Sequence, residues 1–189
     1  MWDRGIEGLR DVRMFGGEDV RMTDLNQALI RLHGAVAEFV VAAVVAAPRW
    51  TVPRAPGKWS PSQVVEHVAR IMEESANVAS GDPSKFPTVS RLLRPVARVI
   101  FFRRILRRNS FLKLKTAGPF DPATGSPTPG QGRVRVEQAL ARFNKACRGR
   151  EAGGKEVPST IFGDVSVADF ARFQELHVRH HLPQLAESA

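Results

Sequence analysis

Two stretches of this chain place histidine on the apolar stripe of a helix, and that placement limits the folds open to it. In the first, Val64, His67, Val68 and Ile71 fall three and four residues apart, the spacing that stacks side chains on one helical face. In the second, Phe170, Phe173, His177, His181 and Gln184 make a continuous stripe of the same kind. Such stripes are buried against neighbouring elements, so both helices turn imidazoles inward. Each helix also carries its own start signal. Ser60, Pro61 and Gln63 form a Ser-x-x-Gln capping box with proline at the first helical position, and Trp59 stands where a hydrophobic staple packs on Val64. Ser166 caps the other helix, with Asp169 at its third position and Val165 placed to staple onto Phe170.

The rest of the chain is also helical in pattern. Thr23 opens a segment with Leu25, Leu29, Leu32, Val36, Phe39 and Ala43 at helical steps, ending before Pro48. His33 lies beside that stripe and reads as a partly exposed helix histidine. A helix over about Arg133 to Arg148 turns Val136, Leu140 and Phe143 inward, with Gly149 marking its end. Before it, about Thr116 to Gly132, comes a long loop holding Pro119, Pro122, Pro127 and Pro129 among glycines. No alternating run predicts a substantial sheet. The chain therefore reads as all-α: a loose tail over residues 1–22, then one helical domain over 23–189, a length suited to a single core.

One segment breaks the pattern. Between Arg91 and Lys115 stand Arg91, Arg94, Arg98, Arg103, Arg104, Arg107, Arg108, Lys113 and Lys115, with no acid among them. The other 19 basic residues match the 19 acids, so this stretch carries the whole net charge of +9. Taking roughly 100° per residue, Leu92, Leu93, Val96, Val99 and Ile100 cluster opposite Arg91, Arg94 and Arg98. Phe101, Phe102, Ile105 and Leu106 then fall on the side the early arginines held. The swap near residue 101 predicts a kink, a break or a second apolar contact, a subunit interface being one candidate. Pro95 fits a helix only in its first turn.

The single cysteine, Cys147, excludes an internal disulfide and accords with a reducing cytoplasm; nothing around it points to catalysis. The longest apolar run, Gly34 to Pro48, is short for a bilayer span and reads as a core helix. The first residues show no secretory pattern, so a cytoplasmic location is expected.

The chemistry lies in the histidines. On one helix, His177 and His181 can reach a single ion, and neutral imidazole is the commonest nitrogen ligand for zinc, nickel and similar metals. A third ligand is needed, and His67 is the candidate. Three protein ligands leave positions open for water or substrate, as catalytic metal sites do. The plainer alternative remains: histidines near a helix C-terminus favour the negative end of its dipole.

The stretches GKWSPSQVVEHVARIMEES (Gly57 to Ser75) and IFGDVSVADFARFQELHVRHHLPQL (Ile161 to Leu185) resemble the DinB-like (YfiT-like) metalloenzyme superfamily, in a branch ending in an H-x-x-HH-x-x-Q element. Together they cover about a quarter of the chain. The resemblance implies an up-down four-helix bundle with an additional helix, and a divalent metal held by His67, His177 and His181. Zinc or nickel is the first expectation, manganese or iron the next. Gln184 and His180 match positions near that site. Pro183 departs from the pattern, since inside a helix it would free the carbonyl of Arg179 and bend the last turn. The long Pro/Gly loop and the basic Arg91–Lys115 segment depart from it as well.

Two functions follow as expectations. The resemblance implies a metal-dependent enzyme acting on a small molecule, either an S-transferase using a low-molecular-weight thiol or a hydrolase, with nearby arginines binding the thiol's carboxylates. The alternative is a non-catalytic binding protein that sets the Arg91–Lys115 segment against nucleic acid or an anionic membrane. Arginine stems covering a solvated helix are the plain reading of the same segment. A homodimer through this helix is a further expectation.

Overall fold

The computed structural model describes residues 24–111 and 118–186. The expected tail over 1–22, Thr23, and Lys113 and Lys115 of the basic segment lie outside the described residues. Within them the protein is mostly helical.

Helix α1 spans Asp24–Val45, and every member of its expected stripe, from Leu25 to Ala43, is buried. Among the described residues α1 is the helix long and apolar enough to cross a membrane by length and composition. Here its inner stripe packs along other helices, while Ile30, Val41, Val44 and Val45 face outward. Helix α2 spans Pro61–Ser80, and both halves of the Ser60/Gln63 capping box are present. Gly81 ends α2 at φ 85°, a left-handed cap that glycine adopts without strain.

The basic segment forms α3 (Arg94–Ala97), a π-helical turn (Arg98–Arg103) and α4 (Arg104–Arg108). The π turn is the expected break. Its wider winding offsets the two halves, so Phe102 and Ile105 turn inward although Val99 and Ile100 face out. Phe102 stacks on Phe173 and packs at a tilt against Phe162. Pro95 sits in the first turn of α3, where its missing N–H costs no bond. Arg94 and Arg98 do not point to solvent; their Nε groups donate to the carbonyls of Val89 and Phe162 at 3.0 and 2.9 Å.

Helix α5 spans Pro129–Ala152, longer at both ends than the expected Arg133 to Arg148. Thr128 caps it with Pro129 at the first position, so the end of the Pro/Gly loop is already helix. Gly149 lies inside it, and the cap falls at Gly153. A short hairpin follows, β1 (Val157–Ser159) antiparallel to β2 (Gly163–Val165), with Val157 opposite Val165. Helix α6 spans Val167–His181, capped by the Ser166 side chain on the Asp169 N–H. Pro183 does not bend it: α6 ends at His181, and Pro183 lies in the 3₁₀ turn Leu182–Gln184.

The four long helices pack on one another, α1 along α6 and α2 along α5, with α1–α5 and α2–α6 contacts between the pairs. Phe39, Leu32, Val68, Met72 and Phe143 fill the space they enclose. This arrangement brings the inner face of α2 to that of α6.

Candidate metal centre

Three imidazoles meet where α2 faces the last turns of α6. His67, His177 and His181 are all buried, and one ring nitrogen from each lies within 4.8 Å of the others. The α6 pair is closest, with Nε2 of His177 3.1 Å from Nε2 of His181. A zinc ion with bonds of about 2.0–2.1 Å holds its nitrogens roughly 3.3 Å apart. The α6 pair thus stands at the needed spacing, and the outer limit of the cluster is somewhat wider. Among the described residues no carboxylate or thiol joins the three.

The His67 ring is oriented from behind. Its Nδ1 lies 2.8 Å from the carbonyl oxygen of Phe120, which accepts only, so Nδ1 carries the proton and Nε2 keeps a lone pair. Phe120 belongs to the 3₁₀ turn Gly118–Phe120, so the Pro/Gly loop reaches into the site. Trp59 lies with its ring 4.8 Å from that of His67 and 6.3 Å from that of His181, and its Nε1 donates to Asp121. Phe111 covers His177 from the other side at 5.4 Å. These rings shield the imidazoles from water.

Burial keeps all three rings neutral. Desolvation holds His177 well below the usual imidazole range, aided by His181 and His67 beside it. Desolvation is also the main cause that brings His181 down to about 3, with His67 adding to it. Gln184 opposes part of this without completing a hydrogen bond to Nδ1 of His181. His67 is lowered by burial too, with the Phe120 carbonyl pulling the other way. Neutral rings are what a divalent ion binds. Nδ1 of both His177 and His181 is buried without a hydrogen-bond partner. An ion held by the facing Nε2 atoms leaves these nitrogens as they are, so it is the neutral rings and the Nε2 spacing that bear on a metal. The donor set therefore fits a divalent metal.

The remaining histidines are placed apart. The His180 ring is 5.1 Å from that of His181 and lies outside the three-ligand group. His33 is exposed beside Asn144. Glu66, next to His67 in sequence, faces Arg70 and Arg135 instead. Cys147 is buried, its thiol pushed up to about 12 by burial and by Glu151, which bars it from acting as a nucleophile near neutrality.

Two further polar residues of α6, Glu175 and Gln174, are buried. Glu175 is held by Arg172, Arg179 and, from α1, Arg31; arginines three residues before and four after it were a readable signal. Gln174 donates from Nε2 to Ser75 of α2 at 2.7 Å. Its spacing was a readable signal too, four residues after Phe170 and three before His177, on the histidine stripe itself.

A family model described as "Protein of unknown function (DUF1569)" matches residues 41–188 of the chain. No curated protein and no solved structure matches it.

Proposed function

The chain belongs to the DUF1569 family, and with that as premise we propose that it is a metal-dependent enzyme of the DinB-like superfamily. On this reading α1, α2, α5 and α6 are an up-down four-helix bundle, with α3, the π turn and α4 as the added helical element. His67, His177 and His181 hold a divalent ion, zinc or nickel first, manganese or iron next. The observation that carries the reading is the convergence of three buried, neutral imidazoles from two helices, with no carboxylate in the group among the described residues.

Such an ion supplies Lewis acidity: it lowers the pKa of a coordinated thiol or water, or polarises a carbonyl. The chain's own residues do the rest. The Phe120 carbonyl holds the proton of His67 on Nδ1, and Trp59 and Phe111 exclude water from the imidazoles. The reaction class we favour is S-transfer with a low-molecular-weight thiol, hydrolysis being the other, in the cytoplasm. Metal analysis of protein purified without added metal tests it. Stoichiometric divalent ion that disappears in His177→Ala is expected; stoichiometric ion that survives that change refutes the ligand set.

One observation favours a second reading, of contact with an anionic surface. Leu92, Leu93, Val96, Val99 and Ile100 all face solvent, Leu92 at 88% exposure. Arg91, Arg103, Arg104, Arg107 and Arg108 are exposed around them with no acid in the segment. An outward apolar face in an arginine-rich segment suits an anionic bilayer better than nucleic acid, which offers the apolar side chains no phase to enter. It also opposes a homodimer made by pairing this face with itself, because like charges would meet. Co-sedimentation with phosphatidylglycerol vesicles, lost in Leu92→Asp, Ile100→Asp, is the expected result; no sedimentation at low salt removes the reading.

A further inference from the structure

A second cavity adjoins the three histidines and shares His177 with them as part of its wall. It has a volume of about 190 Å³ and lies between α2, the hairpin and α6. Apolar side chains, among them Ile71, Val78, Phe86, Phe111, Phe162 and Phe173, supply most of its lining, and among the described residues no Asp, Glu, Lys or Arg lines it. A void on the order of 150 Å³ lined by apolar side chains stays dry and takes up benzene. This one therefore has room for a six-membered ring with a small substituent. Among the described residues, the arginines expected to grip a thiol's carboxylates are absent from this wall.

Four polar residues interrupt the apolar wall, Ser75, Ser159, Gln174 and His177, and Gln174 carries an acceptor without a partner. Gln174 is 1% exposed and lines the cavity. Its Nε2 is committed to Ser75, and its Oε1 is buried with no hydrogen-bond partner. A buried acceptor left in that state is costly, and neither the hydroxyls of Ser75 and Ser159 nor the His177 ring, which share the wall, donates to it. A ligand carrying one N–H or O–H would satisfy it.

We infer that this cavity binds the uncharged arm of the substrate, a small aromatic or branched aliphatic group bearing one hydrogen-bond donor that meets Gln174 Oε1. The inference rests on the metal-enzyme reading for what happens beyond His177, but binding itself does not. An occupant here lies against the ring of His177, so the rest of the molecule is directed at the three imidazoles. The selectivity is against charge: a carboxylate entering this wall would lose its hydration and find no cation among the described residues.

The test is calorimetric titration of the full-length protein, metal-free and zinc-loaded, with phenol, toluene, anisole and benzoate as probes. Phenol is expected to bind about 2- to 10-fold more tightly than toluene or anisole, the range one neutral hydrogen bond provides, and benzoate not measurably. Gln174→Leu removes the acceptor within a similar volume, so it should erase the preference for phenol while toluene still binds. Val78→Phe fills the cavity and should abolish all binding. Benzoate binding as well as phenol, anisole binding more tightly than phenol, a preference that survives in Gln174→Leu, or no saturable binding of any probe overturns the inference. Zinc content is measured on the same samples. Zinc uptake without phenol binding refutes the cavity and leaves the metal site; phenol binding without zinc uptake does the reverse.

Discussion

Nδ1 of His67 and the carbonyl oxygen of Phe120 lie 2.8 Å apart, across 53 residues of sequence. That contact joins a proposed ligand on α2 to the Pro/Gly loop, and it fixes which nitrogen of His67 faces the other two rings. Phe120 is itself anchored, buried with its ring 4.8 Å from that of Phe86. The loop's position and the ring's orientation are therefore one device.

Phe120→Ala keeps the carbonyl but removes its anchor. It is expected to lower zinc affinity by at least about 10-fold, the usual cost of losing a group that orients a ligand, and to lower stability by about 3 kcal/mol. Competition against a chelator of known affinity measures the first, urea unfolding the second. Unchanged zinc affinity in a folded variant would show that the loop does not orient His67.

How the chain announces this site differs from residue to residue. His67, His177 and His181 were legible because each falls on an apolar stripe whose period and caps are local, and local signals survive folding. The Phe120 carbonyl was not legible, since every residue has a backbone acceptor and only tertiary placement selects this one. Pro183 looked like a defect within a helix because the periodic stripe runs on to Gln184; the backbone instead leaves the α-helix after His181. The face swap near residue 101 was readable as an inconsistency, though its resolution as a π turn depends on the packing of Phe102 against Phe162 and Phe173.

Acid should unfold the metal-free protein earlier than its surface charges require. Burial holds His181 at about 3 and lowers His177 and His67 as well. In the unfolded chain these rings take up protons near pH 6.5 (roughly). Between those limits the unfolded state binds more protons than the folded one, so stability is full above about pH 6.5 and falls as pH drops toward 3. Urea midpoints across that range are expected to decline by the equivalent of a few kcal/mol, on the order expected for such linkage. His177→Phe, His181→Phe should flatten the profile. A flat profile in the unmodified protein would show that the rings are not buried neutral.

Glu175 ties α6 to α1 through Arg31, and its carboxylate also takes Arg172 and Arg179. Pairing with Glu175, and then with Glu38, holds the Arg179 guanidinium above its ordinary value. The arginines are partly solvated, which weakens each pair, but Glu175 itself is 2% exposed. Glu175→Ala takes the ion-pair partner from Arg31 and Arg172 over a buried gap, while Arg179 keeps Glu38, and is expected to cost about 2–4 kcal/mol in urea unfolding. A loss under about 0.5 kcal/mol, the level of an ordinary surface change, would assign the α1–α6 contact to apolar packing alone.

Two glycines in the first turn of α5 should answer alanine with opposite signs. A Cβ on Gly132 would stand 2.8 Å from Cζ2 and 2.9 Å from Cη2 of Trp50. That ring has little freedom to retreat: it is buried, and its Nε1 donates to the Ser126 carbonyl at 2.6 Å. Alanine normally stabilises a helix by about 0.5–1 kcal/mol over glycine, whereas overpacking a rigid contact costs about 1–3 kcal/mol. The overlap wins at Gly132, so Gly132→Ala should lower the melting temperature. Gly130 has nothing within 4 Å of its Cβ position, so only the backbone preference acts there and Gly130→Ala should raise it. Thermal unfolding of the two variants decides the matter. A stabilising Gly132→Ala would mean that Trp50 does not rest on α5, and that the helix start at Pro129 is held by its Thr128 cap alone.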